Sequence, residues 1–220
     1  MKVLIVLSGG MDSTTALAWA KNDPRIEVAG AVHFQYGSKH NAQELKAVEK
    51  IAKHYGVPVA WMDLNAVIGS HFKSDLLQEG GEIPEGHYAD ESMKRTVVPF
   101  RNGIMLAIAA GYAESIGAEA VVLGNHEGDH AIYPDCRASF ALAMGEAISL
   151  GTYAEIRVIC PFQNFDKTDI ARTAAKLGAP LELTWTCYKG GEKHCGKCGS
   201  CTERREAFQL AGVTDPTVYE

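Results

Sequence analysis

The sequence predicts an α/β fold: a doubly wound, mostly parallel sheet with helices on both faces and a small cysteine-rich segment near the C-terminal end. Three observations predict it. Short apolar, β-branched runs alternate with stretches of helical spacing, the pattern of strand–helix–strand units. The first such run passes directly into Ser8-Gly9-Gly10-Met11-Asp12-Ser13, a glycine turn that opens a helix. Cys195, Cys198 and Cys201 fall within seven residues of one another.

Taken in order, residues 2–7 read as a strand apolar enough to be buried on both faces of a parallel sheet. Residues 12–21 follow as a helix and 27–35 as the second strand. Residues 41–54 carry helical spacing and stop before Gly56; 58–64 then read as a third strand. An apolar helix over 104–116 feeds a strand at 120–123. Helices over 140–150 and 168–177 flank a strand at 156–160. Two stretches break this rhythm. Residues 69–99 are polar and interrupted by Gly80, Gly81, Pro84 and Gly86, the profile of a lid or substrate loop. Residues 186–205 are cysteine-rich. The expected organisation is therefore a nucleotide-binding α/β domain over 1–180, with 69–99 as its loop, and a metal-binding segment over 181–220.

Of the 220 residues, 46% are hydrophobic and 22% charged, so a folded core is expected rather than disorder. The net charge of −6 offers no broad cationic face for a polyanion, which argues against nucleic acid as partner. No run approaches the roughly 20 apolar residues of a membrane helix. With no signal-like segment either, the expected location is the cytoplasm.

The chemistry gathers at three places. The Ser8–Ser13 turn reads as an anion site: glycines let backbone N–H groups approach a phosphate, hydroxyls add donors, and the helix start adds positive potential. It is neither the Gly-Lys-Ser/Thr phosphate loop nor the dinucleotide Gly-x-Gly-x-x-Gly. The bland alternative is a tight turn capped by Ser8 or Asp12. A carboxylate at Asp12, beside phosphates, suits a magnesium ligand.

Cys187, Cys195, Cys198 and Cys201 supply four thiolates with glycines between them, which suits a tetrahedral structural zinc, one per chain. An iron–sulfur cluster would be expected to show a further cysteine followed by proline. Two disulfides are the other alternative, disfavoured in a reducing compartment. Cys160, on an apolar strand, reads as core.

The third cluster, Asp129 and Tyr133-Pro134-Asp135-Cys136-Arg137, follows a strand end, where ligands of open α/β sheets bind. Asp135 could accept from a guanine-like edge and Arg137 could pair with a carboxylate; a surface Asp–Arg pair is the plainer reading. Arg101, Asn102 and Lys167 occupy equivalent strand-end or helix-start positions. Arg101 and Lys167 are candidates to neutralise phosphate charge, or else are solvated cations.

The Ser-Gly-Gly-x-Asp-Ser turn resembles the loop of the N-type ATP pyrophosphatases (PP-loop enzymes, with an adenine nucleotide alpha hydrolase-like, Rossmann-like fold). That resemblance implies that Leu7, Ser8, Gly9, Gly10, Met11, Asp12 and Ser13 hold the nucleotide phosphates, with adenine beside Val32 and His33. Further motifs narrow it: His33-Phe34-Gln35-Tyr36-Gly37, Pro99 with Arg101-Asn102, Tyr133 to Arg137, and Thr184-Trp185-Thr186-Cys187-Tyr188. Together they resemble the 7-cyano-7-deazaguanine synthase family across the whole chain. Phe100 stands where that family is expected to carry glycine. The resemblance implies a carbon–nitrogen ligase that converts 7-carboxy-7-deazaguanine, ammonia and ATP with Mg2+ to the nitrile, through an adenylated acid and an amide, for queuosine or archaeosine. It also implies bound zinc and a homodimer. The implied roles are Asp12, Arg101 and Lys167 in catalysis, and Asn102, Tyr133, Asp135 and Arg137 in substrate binding. The nearest rival is a tRNA-thiolating relative, which would call for a basic face.

Overall fold

The computed structural model describes residues 1–126 and 132–220. Five strands, β1 (Lys2–Val6), β2 (Glu27–Gln35), β3 (Val59–Asp63), β4 (Ala120–Val122) and β5 (Arg157–Ile159), form one sheet in the order β3-β2-β1-β4-β5. Every neighbouring pair among them is parallel. The chain winds outward from β1 to β3, then returns to build β4 and β5 on the other side. The order therefore reverses between β1 and β4, and the crevice at their carboxyl ends is where such sheets bind ligands.

Helices α1 (Met11–Asn22), α2 (Asn41–Tyr55), α3 (Arg101–Ser115), α4 (Ala138–Gly151), α5 (Lys167–Lys176) and α6 (Gly199–Ala211) complete the fold. The all-apolar character of β1 follows from burial on both sides. Val3, Ile5 and Leu7 pack with α1, α2 and α5, whereas Leu4 packs on the opposite face with Val121 and with Leu106 and Ala109 of α3. Alternation at single-residue spacing sends consecutive side chains to opposite layers. No helix among the described residues is long and apolar enough to cross a membrane.

Two departures from the sequence reading bear on the site. Helix α3 starts at Arg101 rather than 104, because the Asn102 N–H donates to Asp135 Oδ2 at 2.8 Å. This partner is distant in sequence and invisible to local spacing. Phe100 enters the helix at φ 54°, a left-handed backbone that favours glycine, in keeping with the glycine the family resemblance leads one to expect there. Helix α6 was not anticipated at all. Its first turn is Gly-Ser-Cys, chemistry that reads locally as a metal loop.

Residues 69–99 do not hang free. Leu76, Leu77 and Ile83 join the core on the α3 side, and the Gly86 N–H donates to the Lys197 carbonyl in the cysteine segment. Lys39 Nζ reaches the carbonyls of Asp75, Leu77, Gly80 and Gly81 at 2.7, 2.6, 3.1 and 3.0 Å, clamping the excursion to the end of β2.

Candidate active site and four-cysteine cluster

At the carboxyl end of β1 the chain turns through Gly9 (φ +87°) into α1. The residue capping α1 is Gly10, which makes no side-chain cap bond. The alternative of a turn capped by Ser8 or Asp12 is thus not what the chain does. Ser8 Oγ instead accepts from the Gly10 N–H at 3.2 Å and meets Ser13 Oγ at 3.0 Å, so two hydroxyls face each other across the helix start. An uncapped N-terminus flanked by hydroxyls is suited to an anion. Gly124, at the end of β4, permits the approach: a Cβ there would lie 2.8 Å from the Asp12 backbone.

Asp12 Oδ2 is 2.7 Å from Lys167 Nζ, the first residue of α5. Lys167 also lies 3.3 Å from His126 Nε2 and 3.5 Å from Glu203 Oε2. The other carboxylate oxygen, Asp12 Oδ1, is buried without a partner among the described residues. A buried orphan carboxylate oxygen beside a phosphate loop fits a divalent cation.

His33 sits at the end of β2, its Nδ1 2.9 Å from the Leu7 carbonyl. A carbonyl only accepts, so Nδ1 carries the proton and Nε2 is an acceptor. Nε2 is buried and has no partner among the described residues. It therefore suits a donor such as an exocyclic amine.

The same cavity extends to a second chamber lined by Tyr36, Tyr88, Tyr133, Tyr188, Arg101 and Asn102. Arg101 Nη1 donates to the Tyr36 hydroxyl at 3.0 Å. Burial works against the charge of Arg101, but Tyr36, Tyr188, Tyr133 and Asp135 around it hold its pKa well above the usual value. Burial, set against the Arg101 charge, pushes Tyr36 up to about 12. The chamber therefore offers a permanent cation and a hydroxyl that remains a donor at neutral pH. Tyr133 is fixed by a 2.8 Å bond to Thr96 Oγ1.

Leu7, Ser8, Gly10, Met11, Asp12, Ser13, His33, Arg101, Asn102, Tyr133 and Lys167 all line this one cavity. Four expected site residues do not. Gly9 faces α2, where a Cβ would lie 3.0 Å from the Glu44 carbonyl and from Ala47. Val32 is fully buried in the core on the α3 side, its carbonyl taken by the Leu7 N–H. Asp135 is buried and spends its carboxylate on α3. Arg137 is exposed at the start of α4. Asp129 lies outside the described residues. Reasoning from sequence missed His40, Glu44 and Glu203, which line the cavity, and the buried His126 behind Lys167. His40 and Glu44 could have been found, since they share one helical face just after Tyr36-Gly37. Glu203 could not, because α6 itself was missed.

Below the cavity, Sγ atoms of Cys187, Cys195, Cys198 and Cys201 all lie within 4.8 Å of one another, and all four residues are buried. Backbone N–H groups of Lys197 and Cys198 donate to Cys195 Sγ at 3.4 and 3.3 Å, the turn being made by Gly196 at φ +68°. Hydrogen bonds from Cys198 and Cys201 pull the Cys187 thiol far down, and the bond to Cys187 pushes Cys198 up. Four thiolates crowded in this way require a metal ion to coexist, so the donor set fits one. The fully buried Arg204 of α6 ties the cluster to the cavity wall, donating to Thr184 Oγ1 at 2.8 Å, to Thr186 Oγ1 and Asp215 Oδ1 at 3.1 Å, and to the Leu181 carbonyl.

An uncapped phosphate loop at the switch point of a parallel sheet, with a four-cysteine cluster behind it, defines the chain as an ATP-using ligase of the PP-loop type. The particular family follows from comparison. The family model of the queuosine biosynthesis protein QueC matches residues 2–212, and the chain belongs to that family. A protein of Porphyromonas gingivalis named 7-cyano-7-deazaguanine synthase is 54% identical over 217 residues, covering 99% of this chain and 96% of that one. One of the same name from Desulfotalea psychrophila is 49% identical over 216 residues, covering 98% and 97%. Among solved structures, NMN synthetase from Francisella tularensis shares the fold with a TM-score of 0.51 at 12% identity, over 97% of this chain and 77% of that one. The U34-tRNA thiolase NcsA from Methanococcus maripaludis, solved with its [4Fe-4S] cluster, gives 0.50 at 14% identity, over 96% and 73%.

Proposed function

We propose that this chain converts 7-carboxy-7-deazaguanine and ammonia to 7-cyano-7-deazaguanine, using ATP to activate first the acid and then the amide. The observation that carries the reading is one cavity with two ends: an uncapped phosphate loop at one, and an arginine–tyrosine chamber at the other. A carboxylate is a poor electrophile because its leaving group is poor. Adenylation makes AMP the leaving group, and a site that holds the phosphates and the acid together gains mainly by positioning and by neutralising charge.

Ser8, Gly10, Met11, Asp12 and Ser13 hold the phosphates, and Lys167 neutralises charge beside Asp12. His33 Nε2 accepts from the adenine amino group. Arg101 faces the acid, with Asn102 and Tyr133 against the ring. Asp12 Oδ1 would hold Mg2+, which offsets charge on the departing pyrophosphate. Cys187, Cys195, Cys198 and Cys201 hold one zinc, which fixes the fold of residues 181–220 beneath the α/β domain of residues 1–180. The reading extends to a cytoplasmic homodimer that needs neither nucleic acid nor membrane.

Given the acid, magnesium-ATP and an ammonium salt, the protein should yield the nitrile with the primary amide as intermediate, followed by mass spectrometry. Supplying the amide without ammonia should still consume ATP and give nitrile. Neither amide nor nitrile from the acid, under any ammonia supply, would overturn the assignment.

A further inference from the structure

In the proposed reaction, nitrogen enters as ammonia and leaves as a nitrile, so all three of its N–H protons must be removed. One goes when the amide forms and two go as the activated amide loses AMP. A proton acceptor must therefore face the acid end of the cavity. Most groups there are unsuited. Tyr36, pushed up to about 12 by burial, remains a donor. Arg101 holds its charge. Asp12 and Glu203 belong to Lys167 at the phosphate end, and Asp135 is committed to α3.

His40 is different. It immediately precedes α2, makes no side-chain cap bond there, and is 3% exposed. It lines the cavity together with Glu44. Its Nε2 lies 3.4 Å from Glu44 Oε1, while its Nδ1 is buried with no partner among the described residues. A carboxylate beside one ring nitrogen holds the proton there and leaves the other nitrogen as an acceptor, the logic of a carboxylate–imidazole pair. The ring leans on Tyr188 of the chamber at 5.3 Å. The first turn of α2 abuts the phosphate loop through Gly9 and the Glu44 carbonyl. His40 therefore lines the cavity with Tyr188 on one side and, through Glu44, the phosphate loop on the other, so an adenylated acid spanning the cavity would pass it.

We propose that His40 is the proton acceptor for the substrate nitrogen, with Glu44 as the positioning residue that fixes its tautomer. The inference rests on the proposed reaction. In the first half, ammonia attacks the adenylated carbon, and the C–N bond forms. His40 Nδ1 takes one proton from the resulting ammonium, and the C–O bond breaks with its electron pair leaving on AMP. In the second half, the amide oxygen displaces pyrophosphate from ATP. Two protons then leave the nitrogen in turn, to Nδ1, and its electrons complete the C≡N bond as AMP departs with the former amide oxygen. Between transfers the imidazolium returns its proton to water.

The test separates three readouts on His40→Gln, His40→Asn and Glu44→Gln: pyrophosphate release from acid and ATP without ammonia, conversion of acid to amide, and conversion of amide to nitrile. General-base removal costs about 100-fold or more. Both His40 variants should therefore release pyrophosphate within about threefold of the parent, yet form amide and nitrile at least about 100-fold more slowly, with free imidazole restoring part of the rate. Glu44→Gln should lose less, about tenfold, in the same two steps. Amide and nitrile rates within about threefold of the parent for His40→Gln would overturn the role. So would a parallel fall in pyrophosphate release, which would make His40 a support for the phosphate loop. If the parent makes nitrile and the variant does too, only this inference fails; if the parent makes none, the proposed reaction fails with it.

Discussion

Removing Asp12 should destroy catalysis while leaving the fold standing, and the structure sets both magnitudes. Gly10, not Asp12, caps α1, so Asp12→Ala removes no cap bond. It removes a first-turn acid, worth about 0.3–1 kcal/mol against the helix dipole. It also removes a 2.7 Å pair with Lys167, of a type worth about 1.5–3 kcal/mol when well shielded. Asp12 is a quarter exposed, and Lys167 keeps Glu203 at 3.5 Å, so that second figure falls to the low end. A total of about 2 kcal/mol shifts the melting temperature by roughly 4–8 °C in a chain of this size. The rate should fall at least about 1000-fold, or about 4 kcal/mol of barrier, since the orphan Oδ1 is the oxygen placed to hold the metal beside the phosphates. Acid-dependent pyrophosphate release at saturating magnesium, set beside a thermal melt, measures both. More than a few percent of parental activity in a protein that melts as expected would refute the metal role and leave Asp12 as a partner of Lys167 alone.

Two further predictions concern the C-terminal segment. Cys198→Ser should lower bound zinc, measured by elemental analysis, from about one per chain to well under half, and should cut solubility and melting temperature before it touches chemistry; a stable, active, metal-free variant would refute the four-cysteine site. Arg204→Met should cost about 3 kcal/mol in chemical denaturation, because it removes the cation paired with Asp215, which keeps only the Thr217 N–H and Tyr219 hydroxyl, together with the bonds to the Thr184 and Thr186 hydroxyls at a fully buried position; a loss below about 1 kcal/mol would show that apolar packing there suffices.

What could be read from the sequence divides along physical lines. Strands β1 to β5 and helices α1, α2 and α5 were legible because their burial patterns are local: an apolar run covered on both faces, or a stripe at helical spacing such as Ala47, Val48 and Ile51. The phosphate loop and the four cysteines were legible because ligand spacing is local too. What failed was non-local. The start of α3 is fixed by Asp135, and α6 hides behind ligand chemistry at its own N-terminus. The family resemblance implied both Val32 and His33 beside the adenine; strand alternation turns the Val32 side chain into the core and turns His33 to the cavity. A one-residue choice of face separates a cavity-lining side chain from a packing one.

The same contrast between local pattern and distant partner applies to Asp135. An acidic residue on a loop after a strand end is a sound candidate for reading a base edge, and nothing in Tyr133 to Arg137 shows that its carboxylate is already engaged. The structure shows what that engagement does. Asp135 holds the first turn of α3, and that turn carries Arg101 and Asn102 into the cavity. Arg101 in turn donates to Tyr36, which stands four residues before His40 at the entry to α2. The acid thus holds the helix start that brings the Arg101 cation into the cavity. Tyr133 lines the same cavity directly, so among the described residues the stretch from Tyr133 to Arg137 bears on the cavity both through a side chain it presents and through the helix start it holds.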